Sequence, residues 1–460
     1  MIPLLPREVV KSIVLHTLNP LPPPRSSVEP VFLQPRTPQE TRTLASLVLA
    51  FGKQHSQWIN EMLWKEITLH SGKMTDRLMQ TLQLADSTKN ARLVKILHLE
   101  FKEYPLLDGD DRKITLSSRG VSPFQIKKLA SLLRLVETLC LRATPSGAWF
   151  FNLETCQALH RFVNQDAFRT LEADSKHLSY PGLFHLFSNS PRLENLRLRG
   201  IHAHWHRTSF RLPPSFPNAI SIPPYSLVPS QPPPFVKNLR NLVLSECSLA
   251  ASHLSTFLFT ILLEAPPNLS HLALYNLSVV REIRFSGVED IQPILDALRL
   301  LLPYLSRVTL TLDIPGLSSY NLDGVASNLP NDTLFYHCST RLSHLTIPAA
   351  SLFSTSKDQD YFLIYLNSHD SVAPSELAVF CDRRWYLWIR PNGIFRELSR
   401  IIDDHWLRKL EILKIVGFDK VDVLGGLEEL QQRIEGINEQ RKEDGKKSLK
   451  LRIESARDSG

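Results

Sequence analysis

The sequence predicts an α/β solenoid with a curved parallel sheet, preceded by a small all-helical unit. Three observations predict it: a leucine phrase repeated through residues 92–455, amphipathic segments between its copies, and short amphipathic segments before residue 70. A chain of 460 residues is also too long for one small core, which favours several domains or a repeat array.

The repeated phrase is L-x-x-L-x-L or a close variant. In a β-strand alternate side chains point to opposite faces, so the last two leucines of the phrase point together into a core. The first leucine enters that core from the preceding turn. The copies are 94–99, 136–141, 193–198, 239–244, 269–274, 305–310, 342–347 and 410–415, with weaker ones at 168–173 and 376–380 and a candidate closing copy at 449–454.

Amphipathic helices are predicted between these strands, at 122–135, 180–191, 251–267 and 288–305. A strand followed by a helix, many times over, is typical of a solenoid of parallel neighbouring strands. The proline-rich stretch 211–235 predicts a loop inserted in one repeat, either a tolerated surface insertion or a ligand for a small proline-binding domain. The charged stretch 427–447 predicts a helix that caps the last repeat.

The first seventy residues predict three short helices, each with one apolar stripe. Pro6 stands where the start of a helix tolerates it, and helical faces recur within 41–65. The proline-rich stretch 20–38 predicts an exposed linker, and "KEITLH" alternates like a short strand. Residues 71–91 predict a connecting helix. Such a small unit has little to enclose, so it needs a surface to pack against.

Two stretches here, "LPREVVKSIVLHTL" and "TLASLVLAFGKQHSQWINEMLWKEITL", resemble the F-box motif in its diverged fungal form. With the repeats behind them, the whole chain is similar to a fungal F-box and leucine-rich-repeat protein. The F-box-like unit then covers residues 1–70, and the leucine-rich-repeat-like solenoid covers 92–455.

The resemblance implies a role and two partners. F-box helices bind an Skp-type adaptor, which joins them to a cullin–RING ubiquitin ligase, while the repeats hold a protein substrate. The alternative is that the same apolar residues only pack the N-terminus on the first repeat. The residues expected to contact the adaptor are Leu5, Pro6, Val9, Val10, Ile13, Leu47, Trp58 and Leu63.

The positions between the leucines of each strand are expected to line the concave face of the solenoid, where a substrate would sit. Arginine and tyrosine are good interface anchors, although a solvated strand face has a similar composition. The candidate substrate-binding residues are Arg142, Arg197, Arg199, Asn241, His271, Tyr275, Arg307 and His344.

Other classes of function are disfavoured by the sequence. The five cysteines are scattered without a C-x-x-C pair, which argues against a disulfide framework and a zinc site. The histidines within 197–211 lack an acidic or cysteine partner nearby, so no metal is expected. No catalytic or phosphate-binding motif occurs, so neither an enzyme nor a cofactor is expected.

The charge and hydropathy patterns bear on location and partners. The net charge of +7 is spread thinly, which makes nucleic acid an unlikely partner. The longest apolar runs are too short to span a bilayer and no leader is recognised, so a cytoplasmic or nuclear protein is expected. Two alternatives stay open: a non-catalytic interaction scaffold with a degenerate F-box, and a nucleic-acid-binding repeat protein that uses the arginines of the middle strands.

Overall fold

The computed structural model describes residues 30–50, 52–84, 88–102, 120–145, 151–178, 180–202, 233–264, 267–280, 283–284, 287–288, 292–313, 341–348, 374–381, 395, 398–399, 410–418 and 427–455. These residues form two compact units. Unit 1 holds residues 32–202 and 233–239, and unit 2 holds residues 30–31 and 240–455.

Unit 1 begins with a helix pair, α1 (Pro38–Ala50) and α2 (Gly52–Lys65). Helix α1 starts at a capping box, in which the Glu40 amide donates to the Thr37 hydroxyl at 3.1 Å and the Thr37 amide donates to Glu40 Oε2 at 2.6 Å. Leu44 and Ile59 are completely buried between the two helices. The helix pair therefore has a small apolar core of its own.

The repeats of unit 1 start directly after α2. The elements in chain order are β1 (Glu66–Leu69), α3 (Gly72–Gln83), α4 (Thr88–Ala91), β2 (Ile96–Phe101), α5 (Pro123–Leu132), β3 (Thr138–Ala143), α6 (Leu153–Val163), β4 (Thr170–Asp174), α7 (Tyr180–Ser188), β5 (Asn195–Arg199) and the 3₁₀ turn Pro234–Lys237. The strands pair in chain order from β1 to β5, and every pair is parallel.

The strand register places the leucines of successive phrases side by side. Leu97, Leu139, Leu171 and Leu196 hold matching positions on β2 to β5, and all four are completely buried. Polar caps fix where the intervening helices start, as at α5, where the Gln125 amide donates to the Ser122 hydroxyl at 3.3 Å. The leucine phrase therefore forms the core between strands and helices, as predicted.

Unit 2 repeats the arrangement. Its elements are β6 (Asn241–Ser245), β7 (Ser248–Ala250), α8 (Ala251–Leu262), β8 (His271–Val280), β9 (Ile283–Arg284), β10 (Gly287–Val288), α9 (Gln292–Leu301), the 3₁₀ turn Leu302–Tyr304, β11 (Arg307–Asp313), β12 (His344–Pro348), β13 (Glu376–Phe380), β14 (Ile412–Phe418), α10 (Leu427–Glu443) and β15 (Lys450–Ser455). Its parallel sheet runs in the order β6, β8, β11, β12, β13, β14, β15, with β7 also pairing with β8, while β9 and β10 form an antiparallel pair.

Serine hydroxyls connect neighbouring repeats of unit 2 one residue before β11, β12 and β13. The hydroxyl of Ser306 donates to the Ser270 carbonyl at 3.1 Å, that of Ser343 to the Ser306 carbonyl at 3.0 Å, and that of Ser375 to the Ser343 carbonyl at 2.9 Å. The backbone amides of Ser306 and Ser343 donate to the same carbonyls. Each junction is thus held by a side-chain bond beside a backbone bond.

The prediction of an α/β fold with a parallel sheet is confirmed, and each predicted strand phrase contains a strand. Three details differ. Strand β1 pairs with β2, so the expected connecting region 71–91 is the first repeat connection and contains two helices. Helix α10 lies between β14 and β15, so the predicted capping helix connects two paired strands of the sheet. Phe235, at the end of the predicted proline-rich loop, lies in a 3₁₀ turn and is completely buried; residues 203–232 of that loop lie outside the described residues.

Candidate protein-interaction face

The residues between the leucines share the other side of the unit 1 sheet, which we call the polar face. Thr68, His98, Cys140, Glu172 and Arg197 hold matching positions across β1 to β5. A further row nearer the strand ends includes the predicted substrate-binding residues Arg142 and Arg199. The register therefore brings these arginines onto one face with Arg197, as the sequence predicted.

Carboxylates on the same face pair with the arginines. Arg197 Nη1 lies 2.7 Å from Glu172 Oε1, and Arg142 Nη2 lies 3.4 Å from Asp174 Oδ2. Glu172 is only 2% exposed, so its charge needs such partners to offset the loss of water. Two of the three arginines named on this face therefore lie beside a carboxylate.

A segment from the N-terminal side of α1 lies on this face. We call residues Phe32–Thr37 the strap. The Leu33 amide donates to Glu172 Oε2 at 2.9 Å, and the Leu33 carbonyl accepts from Arg142 Nη2 at 3.1 Å. The prediction that 20–38 is an exposed linker is therefore wrong for the strap, because its backbone groups find partners on three strands of the sheet; residues 20–29 lie outside the described residues.

Phe32 anchors the first part of the strap. Its side chain is 3% exposed, and the guanidinium carbons of Arg197 and Arg199 lie 5.1 Å and 5.8 Å from its ring centroid. Guanidinium groups over an aromatic face attract the ring electrostatically, by about 0.5–1 kcal/mol at exposed sites and more when water is excluded. Two of the predicted substrate-binding arginines therefore hold an aromatic ring of the same chain.

Arg36 anchors the second part of the strap to the helix pair. Its amide donates to Glu66 Oε1 at 3.1 Å, and its Nη1 donates to the Met62 carbonyl at 2.7 Å. That carbonyl belongs to the last turn of α2, where carbonyls lack partners within the helix and cations are favoured. Arg36 thus ties together the strap, the end of α2 and the start of β1.

Glu66 is the acidic residue that accepts from the Arg36 amide. Burial opposes its ionisation, but His98, whose Nε2 lies 3.2 Å away, and Arg36 outweigh burial and lower the pKa of Glu66 below its ordinary value of 4.5. A carboxyl with a lowered folded pKa stabilises the fold above its ordinary pKa, and this contribution is lost as the pH falls through the lowered value.

Acid is therefore expected to remove the stabilisation that Glu66 provides. The Glu66→Gln variant should melt at a lower temperature than the wild type at neutral pH, and the gap should narrow as the pH falls below the ordinary pKa of 4.5 and through the lowered pKa of Glu66. Melting curves over that range measure it. Glu61→Gln, an exposed glutamate on α2, is the control and should show a small gap that does not depend on pH; a constant gap for Glu66→Gln would contradict the prediction.

Unit 2 has its own polar face, which holds the other predicted substrate-binding residues. Asn241, His271, Arg307 and His344 occupy matching positions on β6, β8, β11 and β12. Arg307 is exposed and the other three are half-buried. The register therefore forms one row from four residues that lie far apart in the chain.

His344 ends this row beside an ion pair. Glu376 Oε1 lies 2.5 Å from Lys414 Nζ, and its other oxygen lies 3.7 Å from His344 Nε2. Burial, together with the cations Arg307 and Lys414, lowers the pKa of His344, while Glu376 acts in the opposite direction. His344 is therefore a neutral hydrogen-bonding group at neutral pH.

Tyr275 corrects one sequence prediction. It lies on the polar face at the position beside Ser245, as alternation requires. It is nevertheless buried, and its ring meets that of Phe380 edge to face at a centroid distance of 5.6 Å. Tyr275 therefore packs within unit 2 and is not an open contact residue.

The predicted adaptor-binding residues fall into two groups. Leu5, Pro6, Val9, Val10 and Ile13 lie outside the described residues. Leu47, Trp58 and Leu63 are half-buried and pack against Leu44 and Ile59. The sequence prediction overlooked Leu49, which is 85% exposed on α1, and it overlooked the strap.

The described residues can be examined for metal ligands, membrane spans and reactive thiols. They contain no group of three metal-ligating side chains, and none of their helices is long and apolar enough to cross a membrane. Cys140, Cys156, Cys247 and Cys381 are buried and form no disulfide among the described residues. Burial raises the pKa of the Cys156 thiol to about 12 and also raises those of Cys140 and Cys381, so these thiols stay protonated.

No protein-family model and no curated protein matches this chain.

Proposed function

We propose that this chain is the substrate-receptor subunit of an SCF-type cullin–RING ubiquitin ligase, docking an Skp-type adaptor with its N-terminal region and a protein substrate with its repeats. The observation that carries the proposal is the strap, because a sheet face that holds an extended polypeptide by its backbone and one aromatic ring has the chemistry of a protein-binding surface. The ligation chemistry would belong to other subunits, and this chain would contribute proximity.

The helix pair supports the adaptor half of the proposal. It is joined directly to the first repeat, since α2 ends at Lys65 and β1 begins at Glu66. It presents apolar surface, with Leu49 exposed on α1 and Trp58 half-buried on α2. Exposed apolar groups beside half-buried aromatic ones are typical of interface anchors.

The adaptor half is tested by co-purification. Full-length protein should retain a recombinant Skp-type adaptor, and the Leu5→Ala/Pro6→Ala variant should lose recovery by more than about tenfold, because a few apolar anchors carry most interface energy. The matched control is Phe124→Ala, which removes an exposed aromatic side chain from α5, outside the helix pair. Melting curves of all three proteins confirm that each is folded.

Two results would overturn the adaptor role: no recovery with the wild type, or equal recovery with the double variant. Either result would favour the second candidate function, a non-catalytic interaction scaffold. One observation already favours that candidate, namely the packing of Leu47 and Leu63 against Leu44 and Ile59 inside the helix pair. A nucleic-acid partner has less support, because Arg142 and Arg197 each face a carboxylate.

A further inference from the structure

The two parts of the strap are held by different kinds of contact. Arg36 contacts the helix pair and the first strand, so the second part belongs to the framework of unit 1. The first part contacts side chains of the polar face through Phe32, Leu33 and Gln34, with Arg142 Nη2 donating to Gln34 Oε1 at 2.9 Å. This difference makes the first part the portion that can leave without dismantling the helix pair.

The contacts to Leu33 do not depend on its side chain. Glu172 accepts from its amide and Arg142 donates to its carbonyl, so both backbone groups of one residue are bound. Any residue except proline offers the same two groups. The face therefore recognises an extended backbone at this position, whatever the side chain is.

The contacts to Phe32 do depend on the side chain. Arg197 and Arg199 lie over the ring at 5.1 Å and 5.8 Å from its centroid, and Glu172 holds Arg197 in place at 2.7 Å. An aliphatic side chain would lack the ring face that guanidinium groups attract. The face therefore selects an aromatic residue immediately before the backbone-bound residue.

We propose that this part of the polar face is a peptide-binding site, and that Phe32–Gln34 is a resident ligand that an extended peptide of a partner protein displaces. The partner peptide presents one aromatic residue followed by a residue of any kind except proline. This names the substrate class of the function proposed above and rests on that proposal for its biological meaning; the binding itself does not require the adaptor.

The resident segment competes because it is tethered. A short flexible tether gives a bound segment an effective concentration on the order of millimolar, so a free peptide binds the wild type weakly. A variant in which the resident segment binds less tightly leaves the site accessible to peptides from other molecules. The Phe32→Ala variant removes the aromatic anchor and leaves Glu172, Arg142, Arg197 and Arg199 in place.

The test is fluorescence polarisation with a fluorescein-labelled peptide of residues 30–37 and full-length protein. Phe32→Ala should bind the peptide at least about tenfold more tightly than the wild type. Phe32→Ala/Glu172→Gln should lose most of that gain, since the negative charge that holds Arg197 and strengthens the bond to the backbone amide is gone. Phe124→Ala, an exposed phenylalanine on α5, is the control protein and should match the wild type.

Altered peptides test the recognition rule. A peptide with alanine in place of Phe32 should bind Phe32→Ala at least about tenfold more weakly than the original, and one with alanine in place of Leu33 should bind within about threefold of it. Absence of binding to folded Phe32→Ala, or equally tight binding to Phe32→Ala/Glu172→Gln, would overturn the proposal.

Hydrogen exchange on the wild type keeps the proposal testable if Phe32→Ala does not fold. An excess of unlabelled peptide at millimolar concentration should increase exchange of the Leu33 amide, whose acceptor is Glu172. An unchanged rate would mean that the strap is a fixed part of the fold, and the proposal would fall. Peptide binding without adaptor recovery would reject the ligase role and support the peptide-binding site. Adaptor recovery without peptide binding would support the ligase role and reject the peptide-binding site.

Discussion

Gly417→Ala is expected to destabilise unit 2 by at least about 3 kcal/mol, because both the backbone conformation and the space at this position exclude a side chain. Gly417 has a φ of +98° and lies where the register of β14 against β15 shifts between Val416 and Phe418. A Cβ there would stand 2.3 Å from the carbonyl oxygen of Cys381, a backbone atom that cannot rotate away. Urea denaturation followed by circular dichroism measures the loss.

Two other glycines show how much of the lost stability comes from the positive φ and how much from the lack of space for a Cβ. Gly445 also has a positive φ, +66°, but nothing lies within 4 Å of its Cβ position, so Gly445→Ala should cost only about 1 kcal/mol. Gly436 lies inside α10 in open space, and Gly436→Ala should stabilise by up to about 1 kcal/mol. If Gly417→Ala cost no more than Gly445→Ala, the backbone at Cys381 would have to move freely, contrary to the prediction.

Glu172→Ala is expected to destabilise unit 1 by about 3 kcal/mol. The substitution leaves the Leu33 amide without its acceptor and Arg197, beside Phe32, without its carboxylate. Breaking a buried pair from one side costs about 3–5 kcal/mol, and the partial exposure of Arg197 puts this case at the lower end. Urea denaturation measures the cost, and hydrogen exchange at Leu33 should rise at the same time.

The control is another carboxylate–arginine ion pair, which lies on the surface. Asp166 lies 2.6 Å from Arg192, and both side chains are largely exposed, so Asp166→Ala should change stability by less than about 0.5 kcal/mol. The loss of stability for Glu172→Gln should lie between those for Glu172→Ala and Asp166→Ala, because its amide oxygen still accepts from Leu33 but carries no charge. Equal effects of Glu172→Ala and Asp166→Ala would mean that Glu172 does not hold the strap.

The repeats could be predicted from the sequence because their signal is local. Leucines two residues apart reveal a strand with one buried face, and the register then follows, since the same phrase recurs at each turn. The rows on the two polar faces follow from the same alternation. This is why Arg197, Asn241 and His344 were placed correctly on a face without any knowledge of their neighbours.

The strap could not be predicted by this means, because its partners are distant in sequence. Leu33 is 139 residues from Glu172 and 109 residues from Arg142. The prolines around it are typical of a linker, and the only local sign of burial is an aromatic residue within that stretch. Tyr275 was misplaced for a similar reason, since alternation gives its face but Phe380, far along the chain, decides its exposure.

The serine junctions of unit 2 give its assembly a direction. At each of them a serine hydroxyl and a backbone amide, which at the third junction belongs to Glu376, reach back to a carbonyl of the repeat that comes earlier in the chain. A ribosome releases the amino-terminal side first, so every acceptor has left the exit tunnel before the serine that needs it. At these junctions the later strand therefore finds its acceptor already synthesised, and the junction bonds can form as soon as that strand emerges.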